Sequence, residues 1–172
     1  MLAGTGATLA APAFGQQVGA DWQSLADAYA YSVPDWFRDA KLGIWAHWGP
    51  QCVPEAGDWY GRLMYVQGHP AYDHHLRTYG HPSRTGFLDI IGRWKAEAWQ
   101  PEALVDLYRK AGARYFMAMA NHHDNLDLFD SAHHAWNSTR VGPKRDIVGE
   151  WAAAARKAGL RFGVSNHSGR CR

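Results

Sequence analysis

Four histidines stand at the ends of three short apolar runs in this sequence. In chain order they are His47, His122, His123 and His167. A single histidine at the end of an apolar run is more often a core residue satisfied by the backbone than part of a site. Recurrence at three consecutive runs favours a site, because imidazole nitrogens can exchange hydrogen bonds with a polar ligand or bind a metal ion.

Carboxylates and an aromatic ring accompany these histidines. The segment EAGDWY, residues 55–60, follows the first run and contains Glu55, Asp58 and Trp59, and Asp124 comes directly after the histidine pair. Carboxylates and rings of this kind are typical of sites that bind small polar ligands through hydrogen bonds and one apolar face. We therefore expect this loop segment to fold over the histidines.

A metal site is the alternative interpretation of the same residues. Zinc or divalent iron could be bound by His47, His122, His123 and Asp124 in a metal-dependent hydrolase. Adjacent residues at a strand end point to opposite faces, and neither the HxH nor the HExxH spacing occurs. We therefore predict no metal ligands and no cofactor.

The three apolar runs predict the elements that must position these residues. They are KLGIWAHW at 41–48, RYFMAMA at 114–120 and LRFGVSN at 160–166, each of a length suited to a strand buried on both faces. Helical patterns at 101–111 and 149–158 precede the second and third runs, and each ends at a glycine. This alternation predicts an α/β fold with a parallel sheet, open or closed, whose site lies at the carboxyl ends of the strands.

Other prominent residues are predicted to be structural. We expect His74-His75 and His133-His134 to be solvated or hydrogen-bonded loop residues, and Asp146 to cap the helix that follows it. Four tryptophans are predicted to pack in the core or in loops rather than to bind a ligand: Trp94, Trp99, Trp136 and Trp151.

Composition describes an ordinary globular chain of 172 residues, rich in Trp (9), Tyr (8) and His (10). The 18 basic and 16 acidic residues give a net charge of +2 with no long run of one sign, so neither a nucleic acid nor a membrane surface is predicted as partner. Two cysteines are too few for a disulfide framework.

The ends of the chain carry two further expectations. The uncharged segment Leu2–Phe14 contains Ala11-Pro12-Ala13, so residues 1–20 are interpreted as a signal-peptide remnant and linker, and the protein as exported to the periplasm or medium. The last residues, SNHSGRCR, follow the third run with no closing element, which favours truncation.

Several ordered motifs resemble one known family. WFRDAKLGIWAHWGPQCVPEAGDWYGRLMY at 36–65 resembles the N-terminal signature of the α-L-fucosidases of glycoside hydrolase family 29. NHHDN at 121–125, GPKRD at 142–146 and GLRFGVS at 159–165 continue in the order of that family. The resemblance extends from residue 36 to residue 166.

The resemblance implies a partial (β/α)8 TIM-like barrel, with residues 21–172 forming roughly its first three or four β/α units. It also implies retaining hydrolysis of terminal α-L-fucosyl residues from glycans or small glycosides, without a metal or cofactor. The residues carried over as substrate-binding are His47, Trp59, His122 and His123, with Asp58 and His167 as weaker candidates.

The sequence departs from the family pattern in three places. Asp58 stands where members commonly have Glu, Asp124-Asn125 replaces a frequent Asp-Gly, and 165–167 (SNH) replaces paired tyrosines, so that His167 could take over a tyrosine's hydrogen bond. The family's nucleophile and acid/base are expected beyond Arg172, so this chain is expected to be inactive alone. A non-catalytic sugar-binding remnant is the remaining alternative, and the oligomeric state is left open.

Overall fold

The structure is a computed structural model that describes residues 32–167. The chain divides into the units Met1–Asp35 and Trp36–Arg172, and only residues 32–35 of the first are described. The expected export segment therefore lies outside the described residues. In chain order the elements are α1 (Asp35–Ala40), β1 (Gly43–Ala46), a 3₁₀ helix (Pro50–Cys52), α2 (Tyr60–Leu63), α3 (Pro70–Thr78), α4 (Phe87–Arg93), α5 (Pro101–Lys110), β2 (Tyr115–Asn121), α6 (Ile147–Lys157) and β3 (Arg161–Asn166).

The three predicted strands form one parallel sheet in the order β1-β2-β3. Trp45, Met117 and Gly163 share one row across the sheet, so all three carboxyl ends lie at the same edge. The α/β class is thereby confirmed. Within residues 32–167 the sheet is open with three strands and does not close into a barrel.

Helices α5 and α6 precede β2 and β3, as the sequence patterns predict. The α6 ring of Trp151 packs 4.8 Å from Phe116 of β2 and 5.0 Å from Trp99. Burying these rings together stabilises the layer of helix on sheet by removing their apolar surface from water. Gly112 and Gly159 end the helices at positive φ, 101° and 73°, as expected of residues at the C′ position.

Polar groups at the start of α6 confirm its predicted cap. Asp146 Oδ1 accepts a hydrogen bond from the Gly149 amide at 2.7 Å. The neighbouring Arg145 forms a bidentate pair with Glu150, and its Nη1 also donates to the Ala96 carbonyl at 3.2 Å. This planar group therefore ties the loop before α5 to the first turn of α6.

The predictions for the remaining aromatic and histidine residues are mostly confirmed. Trp94, Trp99 and Trp151 are buried in the core, whereas Trp136 is exposed. His74-His75 lie on helix α3 rather than in a loop, which corrects the prediction, because Pro70 at its first turn and the His69 cap start a helix there. None of the helices in the described part of the chain is long and apolar enough to cross a membrane.

Gly43 at the start of β1 is required by a close approach. A Cβ built there would overlap the ring of Tyr115, the residue opposite it on β2. That ring cannot turn away freely, because it packs 5.5 Å from Phe37 and 6.2 Å from Trp36. The row Gly43-Tyr115 therefore depends on the absence of a side chain on β1.

We expect Gly43→Ala to lower the free energy of unfolding by about 2 kcal/mol through overpacking. Gly163→Ala is the matched control on β3, because its Cβ would lie at an ordinary 3.5 Å from Met117 Cε. Urea denaturation of both variants and of Gly43→Ala/Tyr115→Ala measures the difference. Equal stability of the two single variants would show that the Tyr115 ring moves aside at no cost.

Candidate functional site

The carboxyl ends of the three strands bring three histidines into contact. His47 follows β1, His122 follows β2 and His167 follows β3. Their ring centroids lie 4.8 Å (His47 to His122), 5.0 Å (His47 to His167) and 5.3 Å (His122 to His167) apart. The register between β2 and β3 shifts between Met119 and Asn121, directly before His122. We call these three residues the imidazole cluster.

Asp58 from the loop after β1 joins this cluster, as the sequence predicts. Its Oδ1 lies 3.4 Å from His47 Nδ1, and its Oδ2 lies 3.5 Å from His122 Nε2. The carboxylate is partly exposed, whereas the His122 side chain is only 3% exposed. Asp58 therefore covers the cluster and faces solvent, where a ligand can approach.

Trp59 and His123 form an aromatic pair beside the imidazole cluster. Their ring centroids are 4.0 Å apart, and the His123 ring lies 4.5 Å from His122. The tryptophan presents an apolar ring beside a set of imidazole and carboxylate groups. This combination can bind a ligand that has hydroxyls on one side and a methyl or methylene group on the other.

A buried hydrogen-bond chain holds the loop that carries Asp58 and Trp59. The next residue, Tyr60, is buried, and its hydroxyl lies 2.8 Å from His75 Nδ1. His75 is also buried, and its Nε2 lies 2.7 Å from the Thr85 carbonyl. His75 is therefore hydrogen-bonded as predicted, and it fixes the loop from behind.

Burial lowers the pKa values of His122 and His47, which favours the neutral form of both imidazoles. It lowers the pKa of His122 to about 4, against the opposing attraction of Asp58 and with a further lowering by His47. Burial also lowers the pKa of His47, where Asp58 again opposes the shift. Neutral imidazoles each offer one donor and one acceptor, which suits a ligand rich in hydroxyls.

Asp124 is the enclosed carboxyl of the site. Its Oδ1 accepts a hydrogen bond from the Leu126 amide at 3.0 Å, and its Oδ2 has no hydrogen-bond partner among the described residues. Burial raises the pKa of Asp124 to about 6, and the nearby negative charge of Asp58 adds to that rise. A neutral Asp124 can act as a donor in the acidic range.

The geometry separates the four residues of the alternative metal interpretation. Among the described residues, the group whose ligand atoms lie within 4.8 Å of one another is His47, His122 and His167. His123 and Asp124, which the sequence interpretation placed with them, are outside this group. His123 stays beside the cluster, because its ring lies 4.5 Å from His122 and packs against Trp59.

Sequence reasoning missed Trp45. This β1 residue is half exposed, its ring stacks 5.0 Å from His47, and its Nε1 donates to Ser165 Oγ on β3 at 3.1 Å. Trp45 thus bridges the two outer strands beneath the imidazole cluster. The signal was present, because residues 45 and 47 share one face of an extended strand.

The sequence matches the α-L-fucosidase family over residues 7–170. Tissue α-L-fucosidases of Macaca fascicularis and Homo sapiens are each 35% identical to it over 146 residues, which are 84% of this chain and 30% of the relative. A putative α-L-fucosidase of Caenorhabditis elegans is 32% identical over 148 residues.

The solved structures that are similar to this chain are also α-L-fucosidases. The α-fucosidase of Thermotoga maritima superposes with a TM-score of 0.77 at 37% identity, covering 85% of this chain and 36% of that one. Its complex with fucose also gives a TM-score of 0.77. The present sequence thus spans about a third of the length of the relatives it matches. A family match over most of the chain, together with these identities, shows that it belongs to the α-L-fucosidases of glycoside hydrolase family 29, a family of glycosidases.

Proposed function

We propose that this chain carries the fucose-binding part of an α-L-fucosidase that cleaves terminal α-L-fucosyl residues by a retaining mechanism. The observation that carries the proposal is the convergence of His47, Asp58, Trp59, His122 and His123 at one edge of the sheet. All five lie in the segments that match the family.

Each wall of the site has a proposed role toward the sugar. His47 and His122 exchange hydrogen bonds with ring hydroxyls, because both are held neutral and near Asp58. Trp59 packs against the C6 methyl group of the deoxy sugar, and His123 stacks beside it. His167 adds a third imidazole at the place where many relatives have a tyrosine.

The chemical step is proposed to use carboxyl groups from outside residues 32–167. A retaining glycosidase needs two carboxyl groups about 5 to 5.5 Å apart on either side of the scissile bond. Asp58 is engaged with two imidazoles, and Asp124 is enclosed below them. We therefore assign neither as nucleophile, and we expect the isolated chain to bind L-fucose without hydrolysing fucosides. Within fucosidases that contain this segment, the substrate is a glycan or small glycoside that bears α-L-fucose.

Calorimetric titration of the full chain with L-fucose and L-galactose tests the proposal. These sugars differ only in that L-galactose carries a hydroxyl on C6, so contact between Trp59 and the methyl group predicts tighter binding of L-fucose. Trp59→Ala is expected to remove the preference, and an aryl α-L-fucoside assay is expected to show no turnover. Trp136→Ala, an exposed tryptophan in another loop, is the control. No binding of either sugar to the folded chain would contradict the proposal.

A further inference from the structure

The imidazole cluster has the composition of a transition-metal site. One ligand atom from each of His47, His122 and His167 lies within 4.8 Å of the other two. These residues come from the ends of three different strands, so the backbone of the sheet fixes their relative positions. Imidazole nitrogens are preferred ligands of zinc.

Asp58 lies beside this group of three histidines without being a member of it. Its oxygens lie 3.4 Å from His47 Nδ1 and 3.5 Å from His122 Nε2. Good N–H···O hydrogen bonds are shorter, with a mode of about 2.9–3.0 Å. A different oxygen of Asp58 faces each of the two imidazoles, and the negative charge of this carboxylate would attract a bound cation.

We propose that His47, His122 and His167 bind a zinc ion with water at the fourth position, and that zinc and the sugar exclude each other. The exclusion rests on the proposed function, because His47 and His122 would hold either ligand. Zinc binding then acts as an inhibitory switch and takes no part in glycoside cleavage.

The two ligands depend on different residues. His167 belongs to the zinc set and is only a secondary candidate for the sugar, whereas Trp59 belongs to the sugar site and cannot ligate zinc. The ligand atoms of the three imidazoles lie within 4.8 Å of one another, and His167 follows the end of β3, where it is half-buried. The chain therefore permits separate disruption of each binding event.

The test is calorimetric titration of the full chain with ZnCl₂ in a Cys52→Ser background, since the exposed thiol of Cys52 could also bind zinc. We expect one equivalent to bind at the cluster. His167→Asn should weaken binding by at least about tenfold, since even loss of a group that only orients a ligand costs about 10- to 100-fold. His133→Asn, at an exposed loop histidine, should leave the affinity unchanged.

Absence of zinc binding, or an equal affinity in His167→Asn and His133→Asn, would overturn the metal site. Titration of L-fucose into the zinc-loaded chain tests the exclusion, and simultaneous binding of both would overturn it. Trp59→Ala should weaken fucose binding while leaving zinc binding intact. Zinc binding by a chain that never binds fucose would refute the proposed function alone and leave the metal site standing.

Discussion

Replacing His122 with Phe is expected to lower the affinity of the chain for L-fucose about 100-fold, equivalent to about 3 kcal/mol. His122 is the central residue of the site, within 5.3 Å of the rings of His47, His123 and His167 and beside Asp58. Phenylalanine keeps the ring volume but removes both nitrogens. The loss is large because a sugar hydroxyl placed against the phenyl ring would be buried without a hydrogen-bond partner.

Calorimetric titration with L-fucose measures this effect, with circular dichroism to confirm that the variant is folded. His133→Ala removes an exposed imidazole elsewhere and serves as the matched control. An affinity within a factor of two of the wild type would remove His122 from the sugar site.

Asp124→Asn is expected to stabilise the folded chain at neutral and alkaline pH. Burial raises the pKa of Asp124 from 3.8 to about 6, so the folded state holds this proton more tightly than the unfolded state. Stability from this group is therefore present at acidic pH and is lost as the pH rises through about 6. The full cost of ionising the group is about 3 kcal/mol, from a shift of roughly two pKa units.

The side-chain carbonyl of Asn can still accept the bond from the Leu126 amide, so the variant removes the charge and keeps the hydrogen bond. Urea denaturation from pH 4.5 to 8 should show that its advantage over wild type is small at the acidic end and grows to about 3 kcal/mol above pH 6. His122 has the opposite sign, because its pKa is lowered to about 4 and its contribution rises with pH. His122 is present in both the wild type and the variant, so its contribution cancels in the difference between their free energies of unfolding.

Asp73→Asn, at an exposed position of α3, is the control for loss of one negative charge. A difference between Asp124→Asn and wild type that does not change with pH would contradict the account.

The strands and their helices could be predicted from sequence because each carries a strong local signal. Apolar runs, glycine stops and the Asp146 cap are all short-range features, and the structure confirms the elements that they predict. The prediction that all three strands are buried on both faces was wrong, because only β2 is mostly buried, whereas β1 and β3 are partly exposed. The prediction that His74-His75 lie in a loop was wrong because their helix is capped by the His69 imidazole, and histidine is not one of the usual N-cap residues.

The site was predicted as a set of residues, but its geometry was not. The convergence of His47, His122 and His167 follows from parallel strands in sequence order, which the alternation of elements indicates. The rings of His122 and His123 lie 4.5 Å apart, which could not be predicted, because alternation along a strand would place them on opposite faces. The raised pKa of Asp124 likewise depends on the tertiary enclosure of Oδ2.

The strand order also means that the residues of the site differ in how firmly their strands are held in the sheet. In the described part of the chain, β2 is hydrogen-bonded on both sides, whereas β1 and β3 are each paired on one side only. An outer strand can detach at a lower free energy than global unfolding requires. His122 and His123 therefore keep their positions at the end of the central strand when β1 or β3 detaches together with His47 or His167. Local detachment of β1 or β3 would therefore weaken ligand binding under conditions in which the core is still folded. Ligand affinity and the free energy of global unfolding are then separate properties of this sheet.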